Sequence, residues 1–145
     1  WGGQLAKILI VEDNALNIKL FCDILAAHGH EPQAVTDSRL ALDSARAFAP
    51  DLVITDIQLP HVSGLELIRL LRADEALGAV PIMAVTAYAA AGDEERIRAA
   101  GAESYVSKPI SVVKFVATVE ELLAARGGSE GPGKVEEEAG SQRST

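Results

Sequence analysis

Five side chains in this sequence could do chemistry together: Glu12 and Asp13 after the run KILIV, Asp56 at the end of LVITD, Thr86 at the end of IMAVT, and Lys108 before Pro109. The first four end or follow a short run of apolar β-formers, the signature of a strand buried on both faces, and Lys108 follows the short strand-like run SYVS. In open α/β sheets, ligands bind in the crevice outside the carboxyl ends of the strands. If these strands run parallel, three carboxylates, a hydroxyl and an ammonium meet in one crevice, with Asp56 at its centre. Two unit charges about 5 Å apart repel by roughly 3 kcal/mol at an effective dielectric of about 20, so three such pairs cost about 10 kcal/mol before Lys108 and solvent relieve them. A cluster of this kind needs a proton or a cation. Oxygen-only ligands suit Mg²⁺, which takes one or two protein carboxylates, keeps several waters and accepts a phosphate. The residues therefore predict a divalent-metal pocket for phosphoryl chemistry. Thr86 would donate to one phosphoryl oxygen and Lys108 would neutralise another. Taken singly, each residue has a plainer explanation. Strand-end Asp and Thr often cap the next helix, and a Lys before Pro is usually a surface residue. Five such groups at matching strand ends argue against that explanation.

The elements that must position these groups follow from periodicity. Strands are expected at Lys7–Val11, Glu31–Val35, Leu52–Asp56, Ile82–Thr86 and Ser104–Ser107. A helix capped by Asn14 carries Leu16, Leu20 and Ile24 as its apolar row, with Phe21 and Leu25 beside it, and Gly29 ends it. A second helix is started by Thr36-Asp37-Ser38, faces inward with Ala41, Leu42, Ala45 and Phe48, and stops at Pro50. A third runs over 64–74 and buries Leu67, Ile68 and Leu71. A fourth, near 91–99, places acids first and bases later, the order a helix dipole favours, but has only Ile97 as a large apolar anchor. A fifth, capped by Ser111, has the stripe Val112, Phe115, Val116, Val119, Leu122 and Leu123, and Gly127-Gly128 ends it. Strand and helix alternate five times, which predicts an α/β fold with a parallel sheet covered on both faces.

Composition sets limits. The 145 residues suit one domain, and a net charge of −8 argues against a nucleic-acid surface. The single cysteine, Cys22, cannot form an intrachain disulfide and points to a reducing compartment. Residues 76–92 carry no charge, yet Pro81, Thr86 and small residues make them a loop, a strand and a loop, not a membrane span. From Ser129 onward there is little to bury, so 127–145 reads as a flexible tail or linker. A first residue of Trp, not Met, points to a processed or excised start.

These motifs resemble the receiver domains of two-component response regulators. The matching residues are Glu12-Asp13 after KILIV, Asp56 after LVIT, Thr86 in VTA, Tyr105 and Lys108-Pro109, and the likeness covers a domain at 5–126. The wording VEDNALNIKLF, ITDIQLPHVSGLELI and AVTAYAAAGDEERIRAAGAESYVSKPISVVKF is similar to a subgroup of single-domain regulators of cell division and polarity. The resemblance implies a doubly wound, five-stranded parallel sheet in the CheY-like order 2-1-3-4-5 with five helices. It implies that Asp56 takes phosphate from a histidine kinase or phosphotransferase. Glu12, Asp13, Asp56 and the backbone carbonyl of Gln58 would hold Mg²⁺, and Thr86 and Lys108 would bind the phosphoryl group. Tyr105 would report the state by turning inward. Ala87 would leave room for access, Gln58 and Tyr88 would tune the lifetime of the acyl phosphate, and the Lys108–Pro109 bond would be cis. Output would pass to a protein target through the fourth helix, fifth strand and last helix. A cytoplasmic monomer or weak dimer without membrane or nucleic-acid partners is expected.

Other features have plainer explanations. His28, His30 and His61 read as surface or loop residues, Cys22 as a packed thiol, and Ile18 as a residue off the helix stripe that could touch a kinase helix. Two alternatives stay open. One is a receiver excised from a hybrid kinase or a diguanylate cyclase. The other is a phosphatase of the haloacid-dehalogenase type, which places a second Asp two residues after the first, where this chain has Gln58.

Overall fold

The computed structural model describes residues 6–87 and 92–128. Five strands form one parallel sheet in the order β2-β1-β3-β4-β5: β1 (Lys7–Val11), β2 (Glu31–Val35), β3 (Leu52–Asp56), β4 (Ile82–Thr86) and β5 (Ser104–Ser107). The helices are α1 (Ala15–Ala27), α2 (Ala41–Phe48), α3 (Gly64–Ala73), α4 (Asp93–Ala100) and α5 (Val112–Gly128). Asn14 caps α1, as its sequence position predicts, with Oδ1 accepting from Asn17 N–H. The α5 helix continues through Gly128, so the glycine pair expected to end it forms its last residues.

Alternation along the strands sorts the core into two layers. Leu9, Val53 and Ala84 face Phe48 of α2, Leu67, Ile68 and Leu71 of α3, and Ile97 of α4. Ile8, Ile10, Ile54, Met83 and Val85 face Phe21 and Leu25 of α1 and Phe115, Val119 and Leu123 of α5. Successive strand residues point to opposite faces, so a run that is apolar throughout can supply both layers. The expected strand order and helix count are the observed ones.

Four local expectations are corrected. On α1 the buried row is Phe21 and Leu25, while Leu16 and Leu20 are 79% and 41% exposed. Two adjacent i, i+4 rows are apolar here, and packing chose between them: the Phe21 ring stacks on Phe115 of α5 at 5.2 Å between centroids. Ile18, expected off the stripe, is half-buried instead. On α5, Val112 is exposed. His30 is buried, with Nε2 2.8 Å from Glu120 Oε2 on α5, a tie across the fold that no local pattern announces. No helix among the described residues is long and apolar enough to cross a membrane.

Candidate functional site

Parallel pairing puts every strand's carboxyl end on one rim. Pairing of β1 with β3 brings Val11 opposite Thr55, so Glu12 and Asp13 follow β1 beside Asp56. Pairing of β3 with β4 sets Asp56 opposite Val85, and pairing of β4 with β5 sets Thr86 opposite Ser107, one residue before Lys108. Carboxylate oxygens of Glu12, Asp13 and Asp56 lie within 4.8 Å of one another. Glu12, Asp56 and Thr86 are buried, and Asp13 is exposed.

Lys108 reaches into the cluster. Its Nζ lies 2.9 Å from Asp56 Oδ2 and 3.3 Å from Glu12 Oε1. The loop that carries it leaves the sheet through a cis bond to Pro109 and is tied to β4 by Lys108 N–H donating to the Thr86 carbonyl at 2.7 Å. Asp56 Oδ1 accepts from the Gln58 backbone N–H at 3.1 Å, and Glu12 Oε2 accepts from the Asn14 N–H at 3.1 Å. The acids are therefore held by fixed donors. Burial, reinforced by the Asp56 charge, pushes the Glu12 carboxyl above its ordinary value. Burial alone would lower the Lys108 ammonium, but its contacts with Asp56 and Glu12 outweigh that and raise it. The donor set is hard and oxygen-only, and its excess negative charge fits a small divalent cation.

Of the remaining sequence candidates, Ala87 is exposed at the crevice edge and Tyr88 lies outside the described residues. Tyr105 is half-buried and its hydroxyl donates to Glu94 Oε1 on α4 at 3.3 Å. A cavity of about 440 Å³ opens beside Lys108, lined by Asn17, Leu20, Phe21, Ala87, Pro109 and Ile110.

Gly64 matters more than its place at a helix start suggests. A Cβ there would stand 2.1 Å from the Asp56 carbonyl oxygen and 2.6 Å from Ile57 Cα. Helix α3 thus begins against the backbone of Asp56, and only glycine fits. Ser63 caps this helix, with Oγ accepting from Glu66 N–H. A glycine directly after a capping serine was the available signal. It reads equally as an ordinary loop glycine until α3 is docked.

The family of response regulator receiver domains matches residues 8–120. The chain is 53% identical over 117 residues to the polar-differentiation response regulator DivK of Brucella ovis, covering 81% of this chain and 95% of that protein. The corresponding protein of Brucella anthropi is 52% identical over the same length. Among solved structures, the chemotaxis response regulator CheY4 of Vibrio cholerae superposes with a TM-score of 0.78, covering 82% of this chain and 99% of that one, and at 24% identity shows the fold alone. The receiver domain of a sensor histidine kinase from Pseudomonas aeruginosa, with a magnesium ion coordinated in its active site cleft, is 32% identical with a TM-score of 0.76. That match covers 82% of this chain and 98% of that domain.

Proposed function

The chain belongs to the response regulator receiver family and is homologous to DivK, and from that premise we propose that Asp56 is the residue that receives the phosphoryl group. The observation that carries this reading is the convergence of Glu12, Asp13 and Asp56 on one rim with Lys108 Nζ 2.9 Å from the Asp56 carboxylate. An Asp56 carboxylate oxygen attacks the phosphorus of a phosphohistidine. A P–O bond forms, the P–N bond breaks, and its electron pair stays on the imidazole of the donor. Glu12, Asp13, Asp56 and the Gln58 backbone carbonyl would hold Mg²⁺, which supplies positive charge that offsets repulsion between carboxylate and phosphoryl oxygens. Lys108 neutralises a phosphoryl oxygen, and its amine is already directed there by Asp56 and Glu12. Thr86, at the end of β4, donates its hydroxyl to another. Phosphorylation adds about −1.5 to −2 charges to an acidic crevice. Thr86 follows that charge, and Tyr105 moves inward behind it, changing the surface of α4, β5 and α5 that a target protein reads.

The donor is a histidine kinase or phosphotransferase. Its helix seats where exposed Leu20 borders the cavity next to Lys108. The role is a cytoplasmic switch in cell-cycle or cell-polarity control, as the DivK homology supports. It is not a turnover enzyme, since Gln58 stands where a haloacid-dehalogenase phosphatase has its second acid. The test is labelling by a small phosphodonor with Mg²⁺. Asp56→Asn should remain folded with a cooperative melting transition and lose all label. Full labelling of the variant, or sustained hydrolysis of a generic phosphomonoester by the wild type, would overturn the assignment.

A further inference from the structure

Tyr105 is held from one side. Its hydroxyl donates to Glu94 Oε1 at 3.3 Å. The other oxygen of that carboxylate, Oε2, accepts from Arg98 Nε at 3.0 Å, and Arg98 Nη1 donates to the Glu103 carbonyl at 2.9 Å. The chain of contacts thus runs from β5 to α4 and back to the residue before β5. Both Glu94 and Arg98 stand on α4, one turn apart, so the carboxylate has a second partner on its own helix besides the tyrosine.

Tyr105 and the carboxylate that holds it stand on different elements, β5 and α4, so the hydroxyl contact ties the strand to the helix.

We infer that Glu94, braced by Arg98, is a positioning residue that holds Tyr105 outward and so sets how much phosphoryl binding energy the switch consumes. This rests on the reading of Asp56 and Tyr105 above and adds the group that opposes them. Coupling between two sites is reciprocal: whatever disfavours the outward tyrosine must tighten the crevice for a phosphoryl group.

The experiment uses fluorotyrosine-labelled protein and beryllofluoride with Mg²⁺ as the phosphoryl mimic. The chain has two tyrosines, and Tyr88→Phe assigns the Tyr105 fluorine resonance. Glu94→Ala should move that resonance toward its beryllofluoride-saturated position before any ligand is added. It should also tighten beryllofluoride binding roughly threefold to tenfold, the range of one modest hydrogen bond. Glu94→Gln, which keeps an acceptor oxygen, should shift it less in the same direction. Glu95→Ala, which removes an acid from the same helix without touching Tyr105, should leave it in place. In a Tyr105→Phe background, Glu94→Ala should no longer change affinity. Equal tightening with and without the Tyr105 hydroxyl, an equal effect of Glu95→Ala, or an unmoved resonance in Glu94→Ala would overturn the inference. Absence of beryllofluoride binding in the wild type would instead strike the Asp56 reading. The resonance shift without ligand still decides the role of Glu94 in that case.

Discussion

The two rims of the sheet handle charge in opposite ways. At the amino rim, Arg72 from α3 has oxygen partners for all three of its guanidinium nitrogens. Nε donates to the Gly101 carbonyl at 2.8 Å, and Nη1 to the carbonyls of Gly78 and Val80 at 3.0 and 2.6 Å. Nη2 pairs with Glu103 Oε1, and that same oxygen accepts from Ile82 N–H at the start of β4. At the carboxyl rim, Lys108 faces two buried acids with a third close by. Among the described residues, nothing at the amino rim calls for a further ligand, whereas the carboxyl rim holds an excess of negative charge. The difference teaches where this molecule spends stability. One rim fastens α3 to the starts of β4 and β5, and the other keeps an unbalanced acidic cluster.

Substitutions can sharpen or break this contrast. The largest effect on stability is expected at the amino rim. Arg72→Met removes the donors of three carbonyls and should destabilise the fold by about 3 kcal/mol. The folded fraction should still be labelled at Asp56. Urea denaturation with parallel labelling checks it, and a lost label in folded protein would mean the rims are not separable. Next comes Gly64→Ala, which forces a methyl group into the Asp56–Ile57 backbone. It should cost about 2 kcal/mol and also slow labelling, because it displaces the acceptor itself. A variant as stable as the wild type would show that α3 does not begin where described.

The smallest effect has the opposite sign. Glu12→Gln should stabilise the metal-free protein at neutral pH by about 1 kcal/mol, because it removes one of two buried like charges. The pH dependence follows from the raised Glu12 carboxyl. A carboxyl raised by folding favours the native state at low pH. That contribution is lost as pH rises through its unfolded value near 4.5 and on past the higher folded value. The variant should therefore match the wild type in acid and exceed it at pH 7, read from melting curves at both pH values in chelator. A variant less stable at pH 7 would mean that the Lys108 contact outweighs the repulsion from Asp56.

The site was more legible than its supports. Asp56, Thr86, Glu12, Asp13 and Lys108 each mark a strand end, and strand ends follow from short apolar runs that any single stretch displays. Gly64 and Arg72 could not be read that way. Glycine after Ser63 looks like a loop glycine until α3 is laid against β3, and Arg72 looks like a surface arginine until the turns at Gly78 and Gly101 close on it. His30 lies in the connection between α1 and β2, and its burial was hidden for the same reason, since its partner Glu120 is on the last helix.

Period, apolar runs and side-chain type are properties of neighbours along the chain, and from them alone came the five strands, the parallel α/β class and the acidic rim with its lysine, while the strand order came from the family resemblance. Tertiary structure alone decided which of two apolar rows on α1 is buried, that α3 starts on the Asp56 backbone, and that Tyr105 rests against Glu94. Each of these depends on which distant surfaces fill the same volume. Close packing settles that question for the whole chain at once, and no local pattern encodes it.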